Sequence, residues 1–304
     1  MSDLTVRFWG TRGSIPTPGR KTKKYGGNTT CIEVRHEGTL LVFDAGSGIR
    51  ELGMSWLDEF SGKPVDATIV FTHLHWDHIQ GFPFFSCGYM PQNSFTIWGE
   101  ERESTGVEQL LSGQMTGDYF PIELSAMQAK LNFKTVDGPF EVGKMKIRPF
   151  RLPHPGGSLG YRVEADGAVF VLATDSELDQ VALNKDELQS DHLARRQYLD
   201  DLVEFMTGAN LIVIDTQYTD SVYPQRVGWG HNSIATVVDL CDQVKPDMVA
   251  MCHHDPQSTD RMVSNMSDDA AKRLKRLDSD TLVFAAREGL TVKAHRPKPP
   301  PALN

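Results

Sequence analysis

Three imidazoles and one carboxylate fall within six residues, His73-Leu74-His75-Trp76-Asp77-His78, and this run constrains the chain more than any other feature. It follows Ala67-Thr68-Ile69-Val70-Phe71, an apolar stretch after Pro64 that predicts a short buried strand ending in a polar cluster. Side chains alternate along a strand, so His73 and His75 are expected on one face. A turn after them would aim Asp77 and His78 at a neighbouring position. Such a cluster suits two adjacent divalent cations, His73 and His75 gripping one, Asp77 and His78 the other. A plain polar loop with hydrogen-bonded histidines is the bland alternative, disfavoured because four ligand types rarely coincide in so short a stretch.

A two-metal centre needs more donors than these four, and candidates recur where apolar runs end. His154 follows Ile147–Pro153 and precedes Gly156-Gly157, Asp175 ends Val169–Thr174, and His253 and His254 end Met248–Cys252. Asp175 is the natural bridge, since a carboxylate has two oxygens. Strands are predicted near 4–9, 30–35, 39–43 and 67–71, with a helix before the last. Further strands are predicted near 145–151, 159–165, 168–173, 211–215 and 247–252. Leu199, Leu202, Val203 and Met206 share one helical face. Ile234, Val237, Val238 and Cys241 repeat the pattern between a Ser233 or Asn232 cap and Pro246, and 261–277 reads as another helix. No sequence repeat or linker is visible. Strands packed on strands with helices outside predict a layered α/β sandwich, one domain over 1–296 with a proline-rich tail over 297–304.

Composition narrows the ligand. Asp and Glu outnumber Lys and Arg by 40 to 31, a net charge of −9, whereas a protein gripping long nucleic acid usually carries a basic face. Arg12, Arg20, Lys21, Lys23 and Lys24 are the local exception, read as a solvated loop or an attractor for a small anion. Apolar runs such as Leu211–Ile214 are strand-sized, so no membrane partner is expected, and the first residues lack a secretory pattern. Four dispersed cysteines read as reduced, buried thiols of a cytoplasmic protein.

The HxHxDH run, followed by a His, an Asp and a His each after a strand, resembles the metallo-β-lactamase superfamily, whose fold is a four-layer αββα sandwich. The resemblance covers nearly the whole chain and includes Gly10–Pro16, Tyr25–Thr29 and Asp44–Gly48. It implies one metal held by His73, His75 and His154, another by Asp77, His78 and His253, and Asp175 between them. Asp44 resembles the family's buried aspartate, which supports the metal loop. His253 is preferred to His254 because phosphodiesterase members place a histidine three residues before a proline, here Pro256. The implied cofactors are two divalent ions, zinc first, with manganese or iron as alternatives.

Within the superfamily, a carboxylate at Asp175 disfavours the lactamase branch that places a cysteine there. Gly230-His231-Asn232-Ser233, opening a helix, and Asp215 after a strand resemble the proton-donating pair of ribonuclease Z-like phosphodiesterases. A helix N-terminus favours a nearby phosphate. The expected catalytic residues are Asp77, His231 and Asp215: a metal-bridging hydroxide attacks phosphorus while His231, steadied by Asp215, protonates the leaving group. Transfer-RNA-processing relatives carry a long arm between the positions matching His154 and Asp175. Here only a tight hairpin through Gly156, Gly157 and Gly160 fits, which points to a small-molecule phosphodiester. The N-terminal segments and His253–Pro256 are similar to small bacterial 3′,5′-cyclic nucleotide phosphodiesterases. Trp76, Phe82, Phe84, Phe85, Tyr89, Tyr218, Tyr223 and Trp229 could stack on a base, at most two of them in contact. A lactonase, glyoxalase-like thioesterase or β-lactamase is the alternative. Relatives of this type pair into homodimers, a role that 79–135 could serve.

Overall fold

Alternation along each strand divides the apolar side chains between two faces. In Thr39–Phe43, Leu41 and Phe43 point into a core between two sheets, while Leu40 and Val42 point outward to a helix at Ile49–Phe60. The computed structural model describes residues 3–101 and 105–295, so the tail expected over 297–304 lies outside the described residues. The first sheet carries β1 (Leu4–Gly10), β2 (Cys31–His36), β3 (Thr39–Phe43), β4 (Asp66–Val70), β5 (Ser94–Gly99) and β6 (Lys130–Thr135). The second carries β7 (Phe140–Val142), β8 (Met145–Leu152), β9 (Ser158–Ala165), β10 (Ala168–Ala173), β11 (Leu211–Asp215), β12 (Met248–Cys252) and β13 (Leu282–Ala285). The last strand, β14 (Thr291–Ala294), returns to the first sheet and pairs antiparallel with β1.

Each sheet has seven strands, in the orders β14-β1-β2-β3-β4-β5-β6 and β13-β12-β11-β10-β9-β8-β7. Pairing is parallel from β3 to β6 and from β10 to β13, and antiparallel elsewhere. The two sheets thus share one pairing pattern that no sequence repeat betrays. Val6, Phe8, Ile32 and Val34 meet Ile147, Tyr161, Val163 and Phe170 between the sheets. Helices Asp200–Met206, Ile234–Val244 and Asp260–Arg276 cover the outer face of the second sheet through Leu202, Phe205, Val237, Cys241 and Met266. The result is the expected αββα sandwich.

Several expectations need correction. The strand before the histidine run ends at Val70, so His73 and His75 stand on a loop and converge without strand alternation. Strands β5, β6, β7, β13 and β14 were not anticipated. Leu199 precedes its helix and is exposed. Ser233, not Asn232, caps Ile234–Val244, its hydroxyl accepting from the Thr236 amide. Gly160 lies inside β9, leaving Gly156 and Gly157, both at positive φ, to make the turn. Arg12 belongs to no solvated loop: it is buried and donates to the backbone carbonyls of Gly26, Asp255 and Ser258. All four cysteines are free and buried, as expected. Residues 176–208 are tied down by a buried, two-bonded Arg196–Asp179 pair (3.0 and 2.8 Å) and by Tyr198, whose hydroxyl donates to the Thr236 carbonyl. Among the described residues no helix is long and apolar enough to cross a membrane.

Candidate metal centre

The carboxyl ends of parallel strands gather loops at one edge of each sheet, where open α/β sheets place ligands. From the first sheet come Asp44, just after β3, and the run His73–His78 after β4. Asp77 and His78 lie on a single helical turn, Trp76–Ile79, so the turn expected after His75 is present. From the second sheet come His154 after β8, Asp175 after β10, Asp215 ending β11 and His253 after β12. Asp44, Asp175 and His253 all have positive φ (62°, 57° and 55°). Non-glycine residues in this region are strained, and such strain concentrates where side chains must be aimed.

The donors form two groups, His73–His75–His154 and Asp77–His78–Asp175–His253, with the chosen ligand atoms of each within 4.8 Å of one another. In the first, His75 Nδ1 lies 2.9 Å from His73 Nε2 and 3.1 Å from His154 Nε2. In the second, His253 Nε2 lies 3.1 Å from Asp77 Oδ2, and His78 Nε2 lies 3.1 Å from Asp175 Oδ2. Asp175 Oδ1 is 3.8 Å from His73 Nε2 and 3.9 Å from His154 Nε2, so this carboxylate stands between the groups. All seven residues anticipated as ligands are therefore brought together. His254 is not among them: its ring turns away and Nε2–H donates to the Ala286 carbonyl at 2.8 Å.

Hydrogen bonds behind the ligands fix the tautomers. His78 Nδ1–H donates to Asp44 Oδ2 (2.8 Å), so Nε2 is the nitrogen that faces the cluster. The Thr72 hydroxyl donates to the same Asp44 oxygen (2.9 Å), so it accepts from His73 Nδ1–H and leaves His73 Nε2 free to ligate. His154 Nδ1–H donates to the Gly230 carbonyl (2.9 Å) with the same effect. Asp44 therefore orients one histidine in each group, the outer support that metal ligands characteristically have.

The donors fit divalent cations. His78 Nε2 and Asp175 Oδ2 are buried and make no hydrogen bond, and in the first group three ring nitrogens converge where one proton could serve only two. Imidazole and carboxylate donors suit zinc, manganese or iron. Burial would raise the Asp77 and Asp175 carboxyls, but His78 and His253 outweigh it and hold both well below the usual range. Burial would lower His78 and His253, but Asp175 and Asp77 raise both, His78 strongly. Burial itself prevails at His73 and His154, which are lowered. A cation entering the second group must displace a proton from His78, so metal loading at neutral pH is expected to release protons and to weaken as pH falls. Calorimetry in buffers of different ionisation enthalpy measures this; loading without proton release would contradict it.

His231 lies against the cluster, its ring centroid 5.3 Å from that of His154 and 4.8 Å from that of His253. Its Nδ1 is 3.4 Å from Asp215 Oδ2, an ion-pair distance without a hydrogen bond. Asp215 is otherwise occupied, accepting from the Ser176 amide and hydroxyl and from the Asn232 amide and side chain. The helix end expected to receive phosphate is already closed, since Ala235 N–H donates to Asp220 and Thr236 N–H to Ser233. Of the eight candidate stacking aromatics, Phe82, Phe85, Tyr218 and Tyr223 are buried, whereas Trp76, Phe84 and Trp229 are exposed.

Sequence reasoning missed the backbone supports. Ser14, at φ 64°, donates its N–H to Asp77 Oδ2 at 2.7 Å. A Cβ on Gly13 would lie 2.3 Å from the His253 ring, and one on Gly230 (φ 87°) 2.2 Å from His154 Nδ1. The glycines flanking Arg12 and Trp229 were the available signal. Gly230→Ala is expected to cost roughly 1–2 kcal/mol from backbone strain alone and to displace His154. Thermal unfolding and bound-metal analysis would detect this; wild-type values in both would show that the loop simply relaxes.

The Beta-lactamase superfamily domain profile matches residues 39–254. The chain is similar to ribonuclease Z of Thermoplasma acidophilum, 24% identical over 312 positions that cover 90% of this chain and 93% of that protein. It spans about half the length of other ribonuclease Z relatives it matches. Among solved structures it is similar to the metallo-beta-lactamase fold protein YhfI from Bacillus subtilis, with TM-score 0.67 and 16% identity over 96% of this chain and 100% of that one. Human tRNase Z, short form, gives TM-score 0.63 and 16% identity over 96% and 99%. Identities this low speak for the fold alone.

Proposed function

From a chain that belongs to the beta-lactamase superfamily and is a hydrolase of that family, we propose a metal-dependent phosphodiesterase acting on a small phosphodiester, a 3′,5′-cyclic nucleotide fitting best. The observation that carries this reading is the position of the His231 imidazole, against both ligand groups with a carboxylate 3.4 Å behind it, where it could donate a proton. Lactone, thioester and β-lactam opening have less need of such a donor. The name ribonuclease Z, borne by the relative matched over most of its length, supports a phosphodiester as the bond cleaved.

In this reading His73, His75 and His154 would hold one divalent ion and Asp77, His78 and His253 another, with Asp175 in reach of both groups. Zinc suits the donors first. When bound, the ions supply Lewis acidity that acidifies water and offsets charge on the phosphoryl oxygens. Hydrolysis adds water at phosphorus and expels an alkoxide, and His231 gives its proton to that leaving oxygen. The Asp215 carboxylate, 3.4 Å behind the ring, limits its drift. Asp77, fixed by the Ser14 amide, holds the His253 side of the pocket.

Small size of the substrate is supported by the chain between His154 and Asp175, which is spent on the Gly156-Gly157 turn and the β9–β10 hairpin and leaves no arm to grip RNA. The same reading pairs two copies through 79–135, where Phe84, Tyr119 and Ile122 are exposed. The test is a substrate panel with zinc- or manganese-loaded protein: cyclic AMP, bis-p-nitrophenyl phosphate, a precursor transfer RNA, an acyl lactone and nitrocefin. Both small phosphodiesters should be cleaved fastest. Faster turnover of the lactone or nitrocefin would refute the phosphodiesterase reading. Cleavage of the precursor RNA with cyclic AMP untouched would keep the chemistry and overturn the small substrate.

A further inference from the structure

Two residues beyond Asp175, Glu177 is buried at 2% exposure, and every group bonded to its carboxylate is a neutral donor. It belongs to neither ligand group; its oxygens face the loop that leads into His231. Oε1 accepts from the Tyr223 hydroxyl (3.0 Å), the Gly228 amide (2.8 Å) and the Gln180 side chain (2.9 Å). Oε2 accepts from the Gly228 amide (3.0 Å) and the Gly230 amide (2.9 Å). Both glycines have positive φ, 86° and 87°, which turns their N–H groups toward one carboxylate, an arrangement open to glycine at little cost.

The contacts close a circuit around one metal ligand. Gly230, held by its N–H to Glu177, accepts from His154 Nδ1 through its carbonyl. On the other side the Glu177 backbone N–H donates to the carbonyl of Pro153, the residue before His154, at 2.7 Å. Glu177 therefore grips His154 from behind and from its own strand end, and it follows Asp175 on the same short stretch. The same loop carries Trp229, whose ring lies 4.3 Å from the Arg226 guanidinium, and then His231. Burying a carboxylate is costly unless donors satisfy it fully. Here that cost is met by a loop and not by core packing, which marks a residue that aims other groups.

We propose that Glu177 is a positioning residue of the metal centre: its carboxylate fixes the Gly228–Gly230 loop so that His154 presents Nε2 to the first ligand group and His231 stays against the cluster. This rests on the reading of His154 as a ligand. Glu177→Gln is nearly isosteric, but in either orientation its NH2 lies against the Gly228 amide, donor against donor, so the grip on the loop is weakened while the fold is kept.

The test uses cobalt(II) binding to the 304-residue chain, followed by chelator competition and by the visible absorption of the bound ion, with His154→Ala as reference. Glu177→Gln is expected to weaken cobalt binding about 10- to 100-fold and to change the absorption in the same sense as His154→Ala. Tyr223→Phe, which removes one donor, should move both readouts less and in the same direction, and it serves if Glu177→Gln fails to fold. A change in His154→Ala alone, with the Glu177 and Tyr223 variants like wild type, overturns the proposal. No change in any of them overturns the ligand assignment of His154 and the proposal with it. Because the readout needs no substrate, neither result depends on the phosphodiesterase reading.

Discussion

If the protein is the phosphodiesterase proposed above, His231→Ala is expected to cut cyclic-nucleotide hydrolysis about 100- to 10,000-fold, the range over which a positioned proton donor contributes, while bound metal stays at the wild-type level. Metal content should be preserved because neither ligand group proposed for the cations includes His231. The loss should depend on the leaving group. A ribose alkoxide is a strong base and needs the proton as the bond breaks, whereas p-nitrophenolate leaves unaided. Hydrolysis of bis-p-nitrophenyl phosphate should therefore fall far less than that of cyclic AMP in the same variant. Equal losses on both substrates would assign His231 to binding or to the fold and remove it from proton transfer.

Asp44→Asn is expected to weaken metal binding about 10- to 100-fold in a protein of almost unchanged volume. Asp44 accepts three bonds, from Thr72 N–H, the Thr72 hydroxyl and His78 Nδ1–H, and it is fully buried. An asparagine that keeps its oxygen on Thr72 N–H turns NH2 toward His78 and the Thr72 hydroxyl. His78 Nδ1 must then accept, which moves its proton to Nε2, the atom that faces the cations. The Thr72 hydroxyl loses its acceptor, and the tautomer of His73 is no longer fixed. Burial raises the Asp44 carboxyl, opposed by His78 and Thr72, the groups it orients. Asp44→Ala should be worse, costing about 3–5 kcal/mol of stability because His78 and Thr72 are left buried without a partner. Chelator competition and chemical unfolding would measure the two effects; metal affinity within threefold of wild type in Asp44→Asn would dismiss the tautomer argument.

Much of the fold was legible because its central strands are near-continuous apolar runs closed by polar residues, as in Leu211–Asp215 and Met248–Cys252. The missed strands were of a different kind. Ser94–Gly99 alternates buried and half-buried residues, and Lys130–Thr135 is an edge strand with charged and exposed positions, so neither stands out from a loop by hydrophobicity. β13 and β14 are four residues each, too short for a period to register. The ligands could be named from the histidine run and from strand ends, but the grounds for their convergence were partly wrong. His73 and His75 meet because a loop folds them together. The burial of Arg12 was invisible because its acceptors include carbonyls more than two hundred residues away in sequence. The closing of the helix end at Ser233 was hidden because Asp220 reaches it from the preceding loop, a contact no local pattern encodes.

Four of the seven donors follow β4 on the first sheet, and three follow β8, β10 and β12 on the second, while β14, near the end of the described chain, lies beside β1. During synthesis the quartet His73–His78 thus leaves the ribosome long before His253 and before the first sheet has its outermost neighbour. A chain folded only through the first sheet carries four of the seven donors, and neither group is complete until the second sheet supplies His154, Asp175 and His253.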